Sequence, residues 1–158
     1  MHMSDALLAP AVAATMYVMS TSTAGVSVIK LRAEERSSDD PASVKLPTMA
    51  VMSALVFAGQ MVNYTIPGTG SSGHLCGSML LTSLLGPWAG FLSMIAVLLI
   101  QCLFFADGGI LALGANVWNM AFYGCFVGYF LIYRPILRSR LFAKKGVNTS
   151  NRIKLVLA

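Results

Sequence analysis

Residues 87–106 read PWAGFLSMIAVLLIQCLFFA, a run in which no side chain carries a charge. At about 1.5 Å per helical residue, such a run can cross the roughly 30 Å hydrocarbon core of a bilayer. Proline at its first position cannot continue a preceding helix, so Gly86-Pro87 predicts a tight turn before it. On either side of this run, further apolar runs occupy residues 6–29, about 47–66, 75–86 and 110–133.

The composition places the whole chain in the membrane. Its 158 residues are 56% hydrophobic and 11% charged, whereas a soluble domain has about 25% charged residues. Backbone groups in lipid must be satisfied internally, which favours helices, and the continuous runs lack the alternation of a membrane barrel. We therefore predict an all-α, polytopic helical bundle of about five spans, forming a single transmembrane domain over residues 1–158.

The basic residues indicate how this bundle is oriented. All eleven lysines and arginines lie in two segments, residues 30–46 and 134–154. By the positive-inside rule both segments are predicted to be cytoplasmic loops. The N-terminus, the 67–74 loop and the turn at Asp107 are then outside. We interpret the net charge of +5 as this orientation signal. We therefore expect no nucleic acid as a partner.

The two histidines of the chain, His2 and His74, are the candidate metal ligands. The amine of Met1, the amide nitrogen of His2 and its imidazole Nδ1 can close two fused chelate rings around one ion. His74, which the predicted topology places on the same outer side, could supply a fourth nitrogen. Square-planar nitrogen sites suit Ni²⁺ or Cu²⁺. The alternative is that His2 merely follows the initiator methionine and His74 forms a hydrogen bond in a loop.

Amide side chains within the apolar runs form a second constellation. Asn116 and Asn119 lie one helical turn apart, as do Gln60 and Asn63, and Gln101 lies within the 87–106 run. Intramembrane polar groups are costly and usually face an interior or a cavity. One interpretation is a layer of side chains that orients metal ligands, and the other is interhelical hydrogen bonding.

Two further features have open interpretations. Asp5 lies close to His2 in sequence and could orient a ligand, or it is an acid favoured at a helix N-terminus. Gly124 and Gly128 form a GxxxG pattern, which indicates either close packing inside the subunit or a face for a partner subunit.

Several ordered motifs resemble one known family. They are Met1-His2-Met3, Phe57 through Asn63, Ile66-Pro67-Gly68, Ser72-Gly73-His74-Leu75, Leu85 through Gly90, Gln101 through Gly109, Leu113 through Asn116 and Asn119-Met120. Together they resemble the substrate-capture subunit of cobalt and nickel energy-coupling-factor ABC transporters, the CbiM/NikM family. The resemblance covers about residues 1–133.

The resemblance implies a site and a mechanism. Met1, His2 and His74 would hold Ni²⁺ or Co²⁺ as the transported substrate, without an organic cofactor. The candidates for side chains that surround and orient these ligands are Asn63, Ser72, Asn116 and Asn119. The loaded subunit would dock on a transmembrane coupling subunit driven by two cytoplasmic ATPases. A small accessory membrane subunit is a further candidate partner, besides the lipid of the prokaryotic inner membrane.

The resemblance leaves other points open. Family members are usually longer, so we expect this chain to lack the C-terminal spans. Nickel and cobalt are not distinguished, nor are cobalamin biosynthesis and a nickel enzyme as the destination. The chain has no GxxxxGK[ST] motif for ATP and no HExxH motif, so we predict a transporter subunit that is not an enzyme. A passive metal-conducting or assembly subunit is the alternative, followed by an intramembrane metalloenzyme.

Overall fold

The structure is a computed structural model and describes residues 2–37, 42–68 and 71–138. A 3₁₀ turn, Asp5–Leu7, precedes the helices. These are α1 (Pro10–Ser37), α2 (Ala42–Met61), α3 (Ser78–Leu85), α4 (Pro87–Phe105), α5 (Leu113–Asn116) and α6 (Arg134–Arg138). The segment Val117–Tyr133 joins α5 to α6 as one continuous helical rod with π-type hydrogen bonding. Strands β1 (Tyr64–Ile66) and β2 (Ser71–Gly73) form an antiparallel pair.

Each predicted apolar run contains a helix, which confirms the all-α membrane fold. Three of the helical segments in the described residues are long and apolar enough to cross a membrane: Pro10–Ser37, Pro87–Phe105 and Leu113–Leu137. The run at 75–86 forms α3, whose eight residues are too few to span the hydrocarbon core. The turn predicted at Gly86-Pro87 separates α3 from α4, with Pro87 at the first position of α4.

Two predicted boundaries need correction. The loop expected over residues 30–46 is largely helical, since α1 continues to Ser37 and α2 begins at Ala42. Opposite charges four residues apart stabilise a helix, and Lys30 and Glu34 have this spacing on α1. Between the two helices, Lys45 Nζ of α2 lies 3.7 Å from Glu34 Oε2 of α1. The span expected to end near residue 66 ends at Met61, because β-forming residues follow in β1. The basic segment predicted at 134–154 is described only as far as residue 138.

The central helix of the bundle is α4. It contacts α1, α2, α3 and the segment Val117–Tyr133. Its side chains Phe91, Met94 and Leu98 are fully buried, together with Leu81 of α3. Large apolar side chains on the outer faces, such as Val18 of α1, remain exposed, as expected for a surface covered by lipid.

The GxxxG pattern serves packing inside the chain. A Cβ atom at Gly124 would lie 1.8 Å from Ser78 Oγ, and one at Gly128 would lie 2.6 Å from Met79 Sδ. Both glycines therefore face α3, and their lack of a side chain lets the two helices approach closely. The interpretation of this pattern as internal packing agrees with these contacts.

A second close approach joins α1 to α5 beside the N-terminal segment. A Cβ atom at Gly114 would lie 2.7 Å from the backbone nitrogen of Tyr17. Ser20 Oγ donates a hydrogen bond of 2.8 Å to the Gly114 carbonyl across the same contact. The backbones of α1 and α5 are thus in direct contact at Gly114. This contact fixes the position of α5, which carries Asn116.

Replacement of Gly114 by alanine should separate these two helices. Overpacking typically costs about 1–3 kcal/mol, so we expect Gly114→Ala to lower the midpoint of thermal unfolding in detergent micelles. Gly25→Ala on α1 is the matched control, because a Cβ atom there would meet nothing within 4 Å. Equal midpoints for the two variants would contradict the close contact.

Candidate metal centre

The N-terminal segment folds back onto the turn between α4 and α5. The backbone nitrogen of Gly109 donates a hydrogen bond of 3.0 Å to the Met3 carbonyl. A Cβ atom at Gly109 would lie 1.8 Å from Asp5 Oδ1, and one at Gly108 would lie 3.1 Å from His2 Cβ. Gly108 also has a φ of +94°, which favours glycine. The two glycines therefore leave the space in which His2 and Asp5 lie.

Hydrogen bonds to α5 and to the residue before it hold the N-terminal segment in place. Asn116 Oδ1 accepts a hydrogen bond of 2.8 Å from the Met3 backbone nitrogen, and Asn116 Nδ2 donates one of 3.3 Å to the Met3 carbonyl. Asp5 Oδ1 accepts a hydrogen bond of 3.0 Å from the Ala112 backbone nitrogen. Asp5 thus anchors the chain at the start of α5, while Asn116 binds the backbone beside His2.

The β-hairpin brings the second histidine to the same place. In its register Tyr64 pairs with Gly73, so the chain returns to its starting point directly before His74. Asn63, which precedes β1, donates a hydrogen bond of 3.1 Å from Nδ2 to Asp107 Oδ2. One short hairpin therefore positions His74 and also contacts Asp107 at the end of α4.

Three side chains of types that can ligate a metal converge at this point. His2 Nδ1 lies 3.0 Å from His74 Nε2 and 3.2 Å from Asp107 Oδ1. One ligand atom from each of His2, His74 and Asp107 lies within 4.8 Å of the other two. His2 is buried, and the other two side chains are partly buried. Nitrogen and carboxylate donors so close together can hold a divalent cation.

The hydrogen bonds of His74 determine which of its nitrogens can bind a metal. Its Nδ1 lies 2.8 Å from the carbonyl oxygen of Leu75. A carbonyl only accepts, so this nitrogen carries the proton of the neutral ring. The lone pair of the ring is therefore on Nε2, which faces His2.

Burial keeps His2 neutral. It lowers the pKa of His2 from 6.5 to about 4, although the nearby Asp107 carboxylate acts in the opposite direction. A lowered pKa in the folded state means that this group's contribution to stability is complete above about pH 6.5 and is lost as the pH falls towards 4. At neutral pH the ring is uncharged, as a metal ligand must be.

The structure can be compared with the predicted site residue by residue. It brings His2 and His74 together. Asn63 lies near them through its hydrogen bond to Asp107, and Asn116 through its hydrogen bonds to the backbone of Met3. Asn119 lies further out, with Nδ2 3.9 Å from the Met3 sulfur. Met1 and the side chain of Ser72 lie outside the described part of the chain, so their roles stay predictions.

Asp107 is the member of the cluster that was absent from the predicted ligand set. The sequence offered one signal for it, an isolated acid in an Asp-Gly-Gly turn on the same predicted side as both histidines. That signal was interpreted only as a turn. Proximity to His2 depends on how the N-terminal segment docks against Gly108 and Gly109, which no local pattern reveals.

The fold and this cluster define a helical membrane protein with a candidate metal site where its N-terminal segment docks. Residues 2–158 match the CbiM family, described as the cobalt uptake substrate-specific transmembrane region. The chain belongs to this family, whose related proteins are named as metal transport proteins and not as enzymes.

Individual relatives agree with this assignment. The chain is 46% identical over 138 residues to a protein of Archaeoglobus fulgidus that carries the provisional name fused nickel transport protein NikMN, covering 87% of this chain and 43% of that protein. It is 40% identical over 87 residues to the cobalt transport protein CbiM of Sorangium cellulosum, covering 55% of this chain and 39% of that protein.

A solved structure shows the same fold. A crystal structure described as a truncated transition metal transporter superimposes with a TM-score of 0.76 at 43% identity, covering 87% of this chain and 60% of that one. The chain thus spans less than two thirds of the length of these relatives.

Docking of the N-terminal segment should depend on Asn116. Asn116→Leu removes both side-chain hydrogen bonds to Met3, at a cost of about 1–3 kcal/mol for buried polar groups. We expect the Met3 amide to exchange its hydrogen roughly 5–150-fold faster, as measured by mass spectrometry. Asn119→Leu is the control, since Asn119 Nδ2 approaches the side chain of Met3, at 3.9 Å from its sulfur. Unchanged exchange in Asn116→Leu would contradict this role.

Proposed function

We propose that this chain is the metal-capturing membrane part of an ATP-driven transition-metal importer and binds Ni²⁺ or Co²⁺ from the outer face. The observation that carries the proposal is the approach of His2 Nδ1 to His74 Nε2 at 3.0 Å, beside the Asp107 carboxylate. The names of the related nickel and cobalt transport proteins support the same substrate class.

The spacing of the two imidazoles suits one shared ion. With metal–nitrogen bonds of about 2.0–2.1 Å, two neighbouring ligands at a right angle lie about 2.9 Å apart. His2 and His74 have this separation already, so binding requires little rearrangement of either ring. The Met1 amine and the His2 amide nitrogen would complete a plane of four nitrogens, and Asp107 would compensate part of the charge.

The ligand chemistry limits the cations that can be bound. Nitrogen donors in a plane favour Ni²⁺ and Cu²⁺ over ions that prefer oxygen, such as Mg²⁺ or Ca²⁺. In the general affinity order Ni²⁺ stands above Co²⁺. Since the names of the related proteins point to nickel and cobalt, we place nickel first and keep cobalt as the second substrate of the same site.

Capture is favoured over passive conduction by where the ligands lie. A conducting path needs several weak sites in sequence. Among the described residues the metal-ligating cluster is a single group at one end of α4. Release to the other side would then require a movement driven from outside this chain. Because the chain has no ATP-binding motif, we assign this role to a coupling subunit with two ATPases, as the family resemblance implies.

Extension of the N-terminus should abolish binding if the amine is a ligand. One extra residue before Met1 keeps both imidazoles but moves the amine out of chelating reach. We expect stoichiometric nickel, measured by mass spectrometry on protein purified with mixed Ni²⁺ and Co²⁺, to disappear. The same residue added after Ala158 is the control and should leave the metal content unchanged. Equal metal content in both variants would exclude the amine as a ligand.

The pH dependence of nickel affinity should report proton release from the backbone. His2, with a pKa of about 4, is neutral at pH 6–7.5 and releases no proton on binding. The amine, with a typical pKa of 7.7–8.0, and the amide must each lose one. The apparent affinity should therefore rise about 100-fold per pH unit, as measured by titration with buffered Ni²⁺. A rise below tenfold would contradict the proposed ligand set.

A further inference from the structure

The candidate metal centre opens to solvent on the side of His74 and Asp107. His2 Nδ1 lies 3.0 Å from His74 Nε2 and 3.2 Å from Asp107 Oδ1, while Nε2, on the other side of the His2 ring, is buried. The side chain of His2 is 2% exposed and that of Asp107 is 14% exposed. His74 is also partly exposed. An ion that arrives from solvent therefore passes Asp107 and His74, which form the mouth of the centre, before it reaches His2.

The Asp107 carboxylate is held with one oxygen towards the His2 ring. Asn63 Nδ2 donates a hydrogen bond of 3.1 Å to Asp107 Oδ2, so Oδ1 is the oxygen that faces His2 Nδ1. The backbone nitrogen of Asp107 donates another of 3.1 Å to the Gln101 carbonyl at the end of α4. Ala106 precedes it with a φ of +51°, which is uncommon for a residue other than glycine. Both the side chain and the backbone thus fix the carboxylate at the mouth.

The charged side chains beside the centre are acidic. In the described part of the chain they are Asp107 and Asp5, which lies against Gly109. Pro10 and Lys30, both on α1, are separated by a helical rise of about 30 Å, far beyond a Debye length of about 8 Å at physiological salt. The described lysine and arginine side chains all lie towards the far ends of their helices, at Lys30, Arg32, Arg36, Lys45 and Arg134. The local field therefore attracts cations.

We propose that Asp107 is the entry residue of the centre and that the species it admits is the free hydrated divalent cation. The carboxylate holds this ion beside His2 and His74 while nitrogen ligands replace its water molecules. By raising the local concentration of the ion, Asp107 increases the rate of association. An anionic metal complex would be repelled at the same place. This inference rests on the proposed function and adds a kinetic role for one residue of that site.

Stopped-flow mixing of aqueous Ni²⁺ with the purified chain in a non-ionic detergent tests this role, with binding followed by the absorption of the nickel–nitrogen complex. For the wild type we expect the association rate constant to fall as salt is added, because salt screens the attraction. Asp107→Asn keeps the shape of the side chain and removes its charge. It should associate about tenfold more slowly at low salt and depend less on salt.

Glu34→Gln is the matched control, since it removes the same charge near the far end of α1. It should associate as the wild type does. A rate constant in Asp107→Asn equal to that of the wild type, or an equal dependence on salt, would overturn the proposal. If Asp107→Asn does not fold, the wild type decides, because a rate constant that does not fall with added salt also overturns it. A wild type that binds no nickel would instead refute the proposed function.

Discussion

The candidate metal centre depends on the docking of the N-terminal segment against the start of α5. Asn116 holds the Met3 backbone through two hydrogen bonds, and Asp5 accepts one from Ala112. Without these contacts His2 would be a solvated residue near a chain end, which is usually poorly ordered. Docking instead buries its ring against His74 and Asp107, which are remote from it in sequence.

This arrangement explains several features that otherwise appear unrelated. The glycines at 108 and 109 provide room for the segment, and the hairpin of β1 and β2 returns the chain to place His74 opposite His2. The close contact at Gly114 fixes α5 against α1 at the level where Asn116 projects. Each element contributes one constraint, and together they hold two imidazoles at the spacing of neighbouring ligands on one ion.

Much of the architecture could be predicted from the sequence, since long apolar runs allow few structures in lipid. The histidines could be chosen because the chain has only two. The extension of α1 to Ser37 was missed because a dense run of charges resembles a loop as much as a solvated helix. Strand β1 was missed because Tyr64-Thr65-Ile66 continues an apolar run. The role of Asp107 depends on tertiary docking, which local patterns do not contain.

The most direct test of a shared metal site is X-ray absorption at the nickel edge of the loaded protein. We expect four nitrogen donors in a square plane, with the scattering pattern of two imidazole rings. Loss of one imidazole contribution in His74→Ala would assign the second ring. An octahedral shell of mainly oxygen donors, or a spectrum that His74→Ala leaves unchanged, would contradict the central claim that His2 and His74 bind the same ion.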